Sequence, residues 1–516
     1  MKKYGFIITL SGLIAAMTLI LSILFFVHGG DFYHSLWPGE RYPVPVIATT
    51  TYHLTPLFKG DSPGWDGQFY YYASISPFWM SPDVNGGMDS PAYRSQRVGL
   101  PALAFITSAI LGEPVTSPKV YFLVNIFAFL ILSLILIFWF ERTTPGSSIL
   151  LLPWIGSVGV IATLAHGLPD ALTSSAFALA VLCYLKKMRI PFALLATFCV
   201  LSREGTAIFF LGLVVGHCLI NLRKKQLRLF DLAFLGAPLG ALLAWDLHLK
   251  HIYGHLPSAE SGSVMGSMFV GWWHALAHAS DVASALFLLC FLSILVLASL
   301  LIVRQLRTAR FDDRVPVYAG TAMYVLLLTS LGPAVFGFFR DYLKNCMDVM
   351  VLIPLICVFC RSSKTVLTSG IYGLVFIMLG LQCLADWKLY QFDNFQVGRA
   401  ELSPVAIEKK ALEFVQEGDS KDLQKLVRDF SICKNPAKLT GCDNLKKGIF
   451  IPSRSDQLYD LTDIERLVEK NLMNLKMALE KCSSSFECLA QTRNQFKNTW
   501  ISNAQIQSAF QDALRN

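Results

Sequence analysis

Charge is scarce in this chain. Only 16% of its 516 residues are Asp, Glu, Lys or Arg, whereas 54% are hydrophobic. The mean hydropathy is +0.49, and the apolar residues fall in blocks longer than a water-soluble core requires, which excludes an ordinary soluble domain and indicates an all-α polytopic membrane protein. Several motifs are also missing. There is no G-x-x-x-x-G-K-[ST] loop, no G-x-G-x-x-G turn and no H-E-x-x-H helix, so ATP-driven or nucleotide-sugar chemistry has no recognisable motif here. No small-residue cleavage pattern follows the apolar run 5–27, which opens after Lys2 and Lys3 and is longer than a signal-peptide core; this first span is expected to be retained.

What is present follows a topological logic. The formal net charge of +8 does not call for nucleic acid, because Lys and Arg gather in the short segments between spans, as the positive-inside rule requires. With the N-terminus inside, 28–117 form a large first external loop. Within it, the stretch 98–112 is apolar but short and interrupted by Pro101, and reads as an interfacial helix. Further spans are expected at 118–140, 148–165, 171–185, in two short arms of 190–220 that meet at Arg203 and Glu204, and at 229–249, 283–303, 316–339, 342–360 and 365–385. This threading makes about eleven crossings and keeps the basic clusters at Lys186, Lys187 and Arg189, at Arg223 to Arg228, and at Arg304 to Arg310 in the cytoplasm. Residues 1–385 then form a transmembrane domain and 386–516 a small helical domain outside the cytoplasm.

Twelve cysteines divide in two groups. Eight lie in or beside apolar spans, where cysteine behaves as a small hydrophobe, and Cys357 and Cys360 read as packing rather than redox chemistry. Cys433, Cys442, Cys482 and Cys488 lie in the polar tail, an even number at close spacing that suits disulfides if the tail is external. In the same tail Thr462-Asp463-Ile464-Glu465 reads as a capping box opening a helix through Leu479.

The threading places Asp66, Arg94, Arg97, Asp170, Arg203, Glu204, Arg340 and Asp341 on the outer side, although about 275 positions separate the first from the last. One external site is the simplest account. Each residue also has a structural explanation: Asp66-Gly67 suits a tight turn, Arg94 and Arg97 suit lipid headgroups, Asp170 suits a helix N-terminus, and adjacent opposite charges such as Arg203-Glu204 neutralise each other. His274 and His278 stand at i, i+4, but without a third ligand they do not make a metal site, and the neighbouring Trp272 and Trp273 point to an interfacial helix.

Asp66-Gly67-Gln68-Phe69-Tyr70-Tyr71, then Tyr93-Arg94-Ser95-Gln96-Arg97 and Pro101, with Gly167 to Asp170 opening a span and Ser202-Arg203-Glu204-Gly205 in a hairpin, resembles bacterial membrane proteins of cell-surface glycopolymer formation. More distantly it resembles the GT-C superfamily of polyprenyl-phosphate-sugar-dependent glycosyltransferases, whose first external loop carries an essential acid. The resemblance spans residues 1–385; the acidic pattern around Asp170 is only partly kept, and the tail lies outside it.

The resemblance implies an inverting enzyme of the bacterial cytoplasmic membrane that moves a sugar from a polyprenyl-phosphate donor to a glycan or lipid acceptor. Asp66 is then the base, and Arg94 and Arg97, with Arg340 or Arg203, hold the phosphate. Asp170 binds sugar hydroxyls, orients an arginine or ligates a divalent metal, which some GT-C enzymes need and others do not. Gln68, Tyr70, Tyr71 and Glu204 are the remaining expected substrate contacts, and Trp65 and Phe69 either stack on sugar or seat the loop. The competing expectations are a transporter or flippase for a lipid-linked saccharide, and a non-catalytic scaffold built around the tail.

Overall fold

The structure is a computed structural model that describes residues 4–57, 63–79, 81–226, 228–260, 264–277, 282–308, 314–336, 339–359, 449–450 and 458–459. The chain divides into two units, one of Met1–Pro38, Tyr42–Leu57 and Trp65–Phe395, the other of Gly39–Arg41, Phe58–Gly64 and Gln396–Asn516. All candidate site residues belong to the first. In the second, a two-residue antiparallel pair, Ile449–Phe450 with Leu458–Tyr459, is described. The expected tail cysteines Cys433, Cys442, Cys482 and Cys488, the helix after Thr462, the span 365–385 and His278 all lie outside the described residues.

The first unit is helical. It opens with α1 (Gly5–Ser22), continued by a π turn, Ile23–Val27. Five helices of the first loop follow: α2 (Val46–Tyr52), α3 (Asp66–Ile75), α4 (Pro82–Gly86), α5 (Pro91–Ser95) and α6 (Gly99–Ile110). Next come α7 (Pro118–Thr143), α8 (Leu152–Ile155), α9 (Val158–Ala165), α10 (Asp170–Leu185), α11 (Arg189–Ser202) and α12 (Thr206–Arg223). The last described are α13 (Leu229–Tyr253), α14 (Val270–Ala277), α15 (Val282–Thr308), α16 (Val315–Thr329) and α17 (Phe339–Phe359).

Among the described residues four helical segments are long and apolar enough to cross a bilayer: Gly5–Val27, α7, α12 and α13, or five if the bent pair Ser147–Ile155 and α9 is one broken span. The protein is therefore a membrane-embedded helical protein. The expectation of about eleven crossings meets shorter elements. α10, α11 and α16 have 16, 14 and 15 residues, about 21–24 Å of helix against a hydrocarbon core of about 30 Å. The span expected at 148–165 bends by 55° at Gly156 and Ser157. The cause is local: α8 ends at Gly156, and the Ser157 hydroxyl accepts from the Val160 amide at 3.1 Å, starting a new helix. The span expected at 316–339 stops at Thr329. As expected, 99–110 is a 12-residue helix, too short to cross.

Caps and small residues set the other boundaries. Ser117 accepts from the Val120 amide at 3.2 Å ahead of Pro118, which opens α7. Along α10 every residue from Asp170 to Cys183 is buried, so this helix forms the centre of the bundle. α12 and α16 meet through Gly212 and Gly320: a Cβ on Gly212 would stand 2.8 Å from the Gly320 Cα, and one on Gly320 would stand 2.7 Å from the Phe209 carbonyl. Small residues permit that backbone approach, which in a lipid environment supplies packing that hydrophobicity cannot.

Gly212→Val is expected to lower the thermal midpoint of the detergent-solubilised protein, at a cost of about 1–3 kcal/mol. Gly240→Val, on α13 where a Cβ would meet nothing within 4 Å, is expected to leave it in place. Equal midpoints for the two variants would contradict the close crossing.

Candidate functional site

α3 carries the first acid of the site. Trp65 is extended and its amide donates to the Trp37 carbonyl at 2.9 Å, so the helix begins at Asp66 with the carboxylate beside its N-terminal amides. Gly67 faces the His166 carbonyl oxygen so closely that a Cβ would collide with it. From Gly67 to Ile75 every residue of α3 is buried. Its tyrosines are anchors: Tyr72 shares a hydrogen bond with Tyr33 at 2.9 Å, and Tyr71 donates to the Thr116 carbonyl at 3.1 Å. Phe69, Tyr70, Tyr71 and Gln68 are thus part of the core and present no open face to a sugar. Trp65 is different. It is partly exposed, and its ring is held edge-on by Trp37 at 4.9 Å between centroids.

Three arginines of this region are each bound to carboxylate, two of them, Arg94 and Arg97, acting on Asp66. Arg94 makes a bidentate pair with Asp89, 2.8 and 2.9 Å, and its Nη2 also lies 2.9 Å from Asp66; its guanidinium covers the Phe69 ring at 4.7 Å. Arg97 makes a bidentate pair with Glu204, 2.7 and 2.8 Å, and donates to the Tyr70 hydroxyl at 2.6 Å and the Tyr93 hydroxyl at 2.8 Å. Arg203 donates to Asp348 at 3.0 Å and to the Asn345 carbonyl oxygen at 3.2 Å, and stands 3.5 Å from Asp170. The Tyr324 hydroxyl also donates to Asp348.

These groups form one contiguous network. Tyr70, bonded to Arg97, also feels the charges of Arg94, Asp66 and Asp170. Of its five carboxylates Asp66 is the most open, 41% exposed at the side chain, against 22% for Asp89, 25% for Glu204, 6% for Asp170 and 0% for Asp348.

The charges determine its state. Burial pushes the Asp66 carboxyl up, but Arg94, Lys344 and Arg97 outweigh it and hold it down to about 2. Burial likewise opposes ionisation of Glu204, and the Arg97 guanidinium overcomes it, so its carboxyl lies below the usual range. Burial pushes the Tyr93 hydroxyl up to about 12, which keeps it a neutral donor. Asp66 is consequently a carboxylate throughout the physiological range, able to accept a hydrogen bond or stabilise a cation.

The expected residues converge in large part. Asp66 meets Arg94, Arg97 meets Glu204, and Arg203 meets Asp170. Arg340 is in the first turn of α17, and its side chain lies outside the described residues. The arginines differ from expectation in one respect: carboxylates already occupy them, because a guanidinium out of water needs an anion close by. Tyr324, Lys344, Asn345 and Asp348 were not singled out from the sequence, and Asp89 and Tyr93 stood in the stretch before Arg97 without a role of their own. An available signal was the i, i+4 pair Lys344 and Asp348 inside the apolar stretch 342–360, since ionisable residues in such stretches are costly and kept for a purpose. Among the described residues no group of three or more His, Cys, Asp and Glu side chains is placed to hold a metal ion. Comparison of the chain with known protein families, with curated proteins and with solved structures returned no match.

Asp348→Ala removes one partner of a fully buried pair and is expected to cost about 3–5 kcal/mol of stability. Asp89→Asn, at a more open pair, is expected to cost less. Denaturation midpoints measured side by side in one detergent test this order, and the reverse order would contradict the burial described.

Proposed function

We propose that the protein is a membrane glycosyltransferase that moves a sugar from a polyprenyl-phosphate donor to a glycan or lipid acceptor outside the cytoplasm, with Asp66 as the group that takes the acceptor proton. The observation that carries this reading is a single open, ionised carboxylate beside a partly exposed tryptophan, mounted on a helix whose other side chains are locked in the core. It sits in a chain with apolar helices able to reach a lipid-borne substrate. We infer the bacterial cytoplasmic membrane, about eleven crossings and an external site from the charge distribution of the sequence.

A phosphate leaving group departs without protonation, so one carboxylate is sufficient where a glycosidase needs two. The acceptor hydroxyl attacks the anomeric carbon from the face opposite the phosphate, and configuration inverts. As the new C–O bond forms, the attacking oxygen becomes a strongly acidic oxonium, and even a carboxyl held at about 2 accepts its proton. Trp65 offers the flat apolar surface on which a pyranose ring can lie. Asp170, bound to Arg203, is in this reading a positioning residue for the network rather than a second base.

Asp66→Asn is expected to abolish transfer from a fluorescent polyprenyl-phosphate sugar in proteoliposomes while leaving the thermal midpoint unchanged; retained transfer would remove Asp66 from the chemistry. The pH profile gives a further test. Activity requires the ionised acid, and with the carboxyl at about 2 no acid limb from this group falls within the range of an ordinary assay. Arg94→Gln deletes the largest influence that favours ionisation, so the carboxyl rises and activity is expected to fall on acidification, with a new limb between about pH 4 and 6. An unchanged profile in that variant would contradict the pairing as the cause.

One observation favours translocation of a lipid-linked saccharide instead: Asp348 lies midway along α17, paired to Arg203 in the helical body. The same proteoliposomes separate the readings, since a flippase moves the donor across the bilayer in Asp66→Asn without forming product.

A further inference from the structure

We propose that Lys344 is the phosphate receptor of this site, its ammonium binding the phosphate ester of a ligand docked against Asp66. The inference rests on the transfer reading for the lipid-linked identity of that ligand. Its physical basis is the state of the arginines. Every guanidinium nitrogen of Arg97 and of Arg203 already faces a protein acceptor. Arg94 is shared between Asp89 and Asp66, two carboxylates to one guanidinium, so that trio carries a net negative charge and repels an incoming phosphate.

Lys344 corrects that balance. It lies one residue before Asn345 and one helical turn before Asp348, both of which hold Arg203, so α17 presents it on the face turned to the network. Its charge acts on Asp66, and the side chain is partly exposed. With Lys344 included, the charges around Asp66 sum to zero. An ammonium has three donors, so it can keep a protein acceptor and still bind phosphate oxygens.

The test uses the full chain in lipid nanodiscs, with polyprenyl phosphate and inorganic phosphate as separate probes. Lys344→Gln is expected to weaken binding of polyprenyl phosphate by about tenfold or more, and Lys344→Arg to keep it within about threefold. Should Lys344→Gln fail to fold, the wild-type protein decides: amine-reactive labelling of Lys344, read by peptide mass spectrometry, is expected to be blocked by the probe. Blocking by polyprenyl phosphate at the lower concentration assigns a lipid headgroup, and blocking by inorganic phosphate alone assigns free phosphate. Equal affinity in wild type and Lys344→Gln, or full labelling at saturating probe, overturns the assignment of Lys344 and leaves the transfer reading standing. Absence of binding of either probe to the wild type overturns both.

Discussion

A guanidinium withdrawn from water must keep an anion in contact with it, and the first unit is organised around three such obligations. Arg203 is the most demanding, with its side chain 11% exposed and its partners Asp170 and Asp348 at 6% and 0%. Removing one member of a buried pair leaves the other uncompensated, so the helices that supply the partners are bound to one arrangement. α10 brings Asp170, the turn between α11 and α12 brings Arg203, and α17 brings Asp348 and Asn345. The neighbouring Glu204 carries the same obligation to Arg97 and the first loop. Two adjacent residues thus tie the helical body on one side and the first loop on the other.

Against that background, Asp66 is notable for its openness. The other acids of the network are spent on fixing arginines, and the aromatic run that follows Asp66 is spent on fixing α3. The result is a carboxylate whose position is set by groups that do not themselves meet a ligand. Its environment makes it a weak base in isolation, and this suits a reaction in which the proton becomes acidic only as the bond forms. The charge that keeps it ionised comes from two directions, Arg94 in the loop and Lys344 on α17.

Much of this was legible in the sequence because it depends on local pattern. Long apolar blocks identify the membrane body, the shortness of 98–112 marks a helix too short to cross, and the polar break at Arg203 marks a turn between two helices. The expectation that Asp66, Arg94, Asp170 and Arg203 share one face came from the threading, and the structure pairs Asp66 with Arg94 and Asp170 with Arg203. Other features depend on packing. Asp348 and Lys344 vanish into the average of an apolar stretch, and nothing local reveals that Arg203 is their neighbour. The aromatic residues after Asp66 read as contacts for a sugar or as seats for the loop, and Gly67 to Ile75 of α3 are buried, whereas Trp65 and Asp66 are partly exposed. The bend at Gly156 and Ser157 comes from a single capping bond, too small a signal to end a span on hydropathy. Gly212 looks like any membrane glycine until Gly320 is placed against it.

The separation of the paired charges along the chain has a consequence for biogenesis. Arg97 precedes Glu204 by 107 positions, and Arg203 precedes Asp348 by 145. At about 5–20 residues per second of synthesis, Arg97 leaves the ribosome seconds before Glu204 exists, and Arg203, with Asp170 already made, seconds before Asp348. The nascent segment around Arg97 must therefore wait in water, headgroups or the insertion machinery until Glu204 follows. Arg203 gains Asp348 and Asn345 only once α17 has emerged, so a chain stalled before that helix lacks the link between the hairpin and α17.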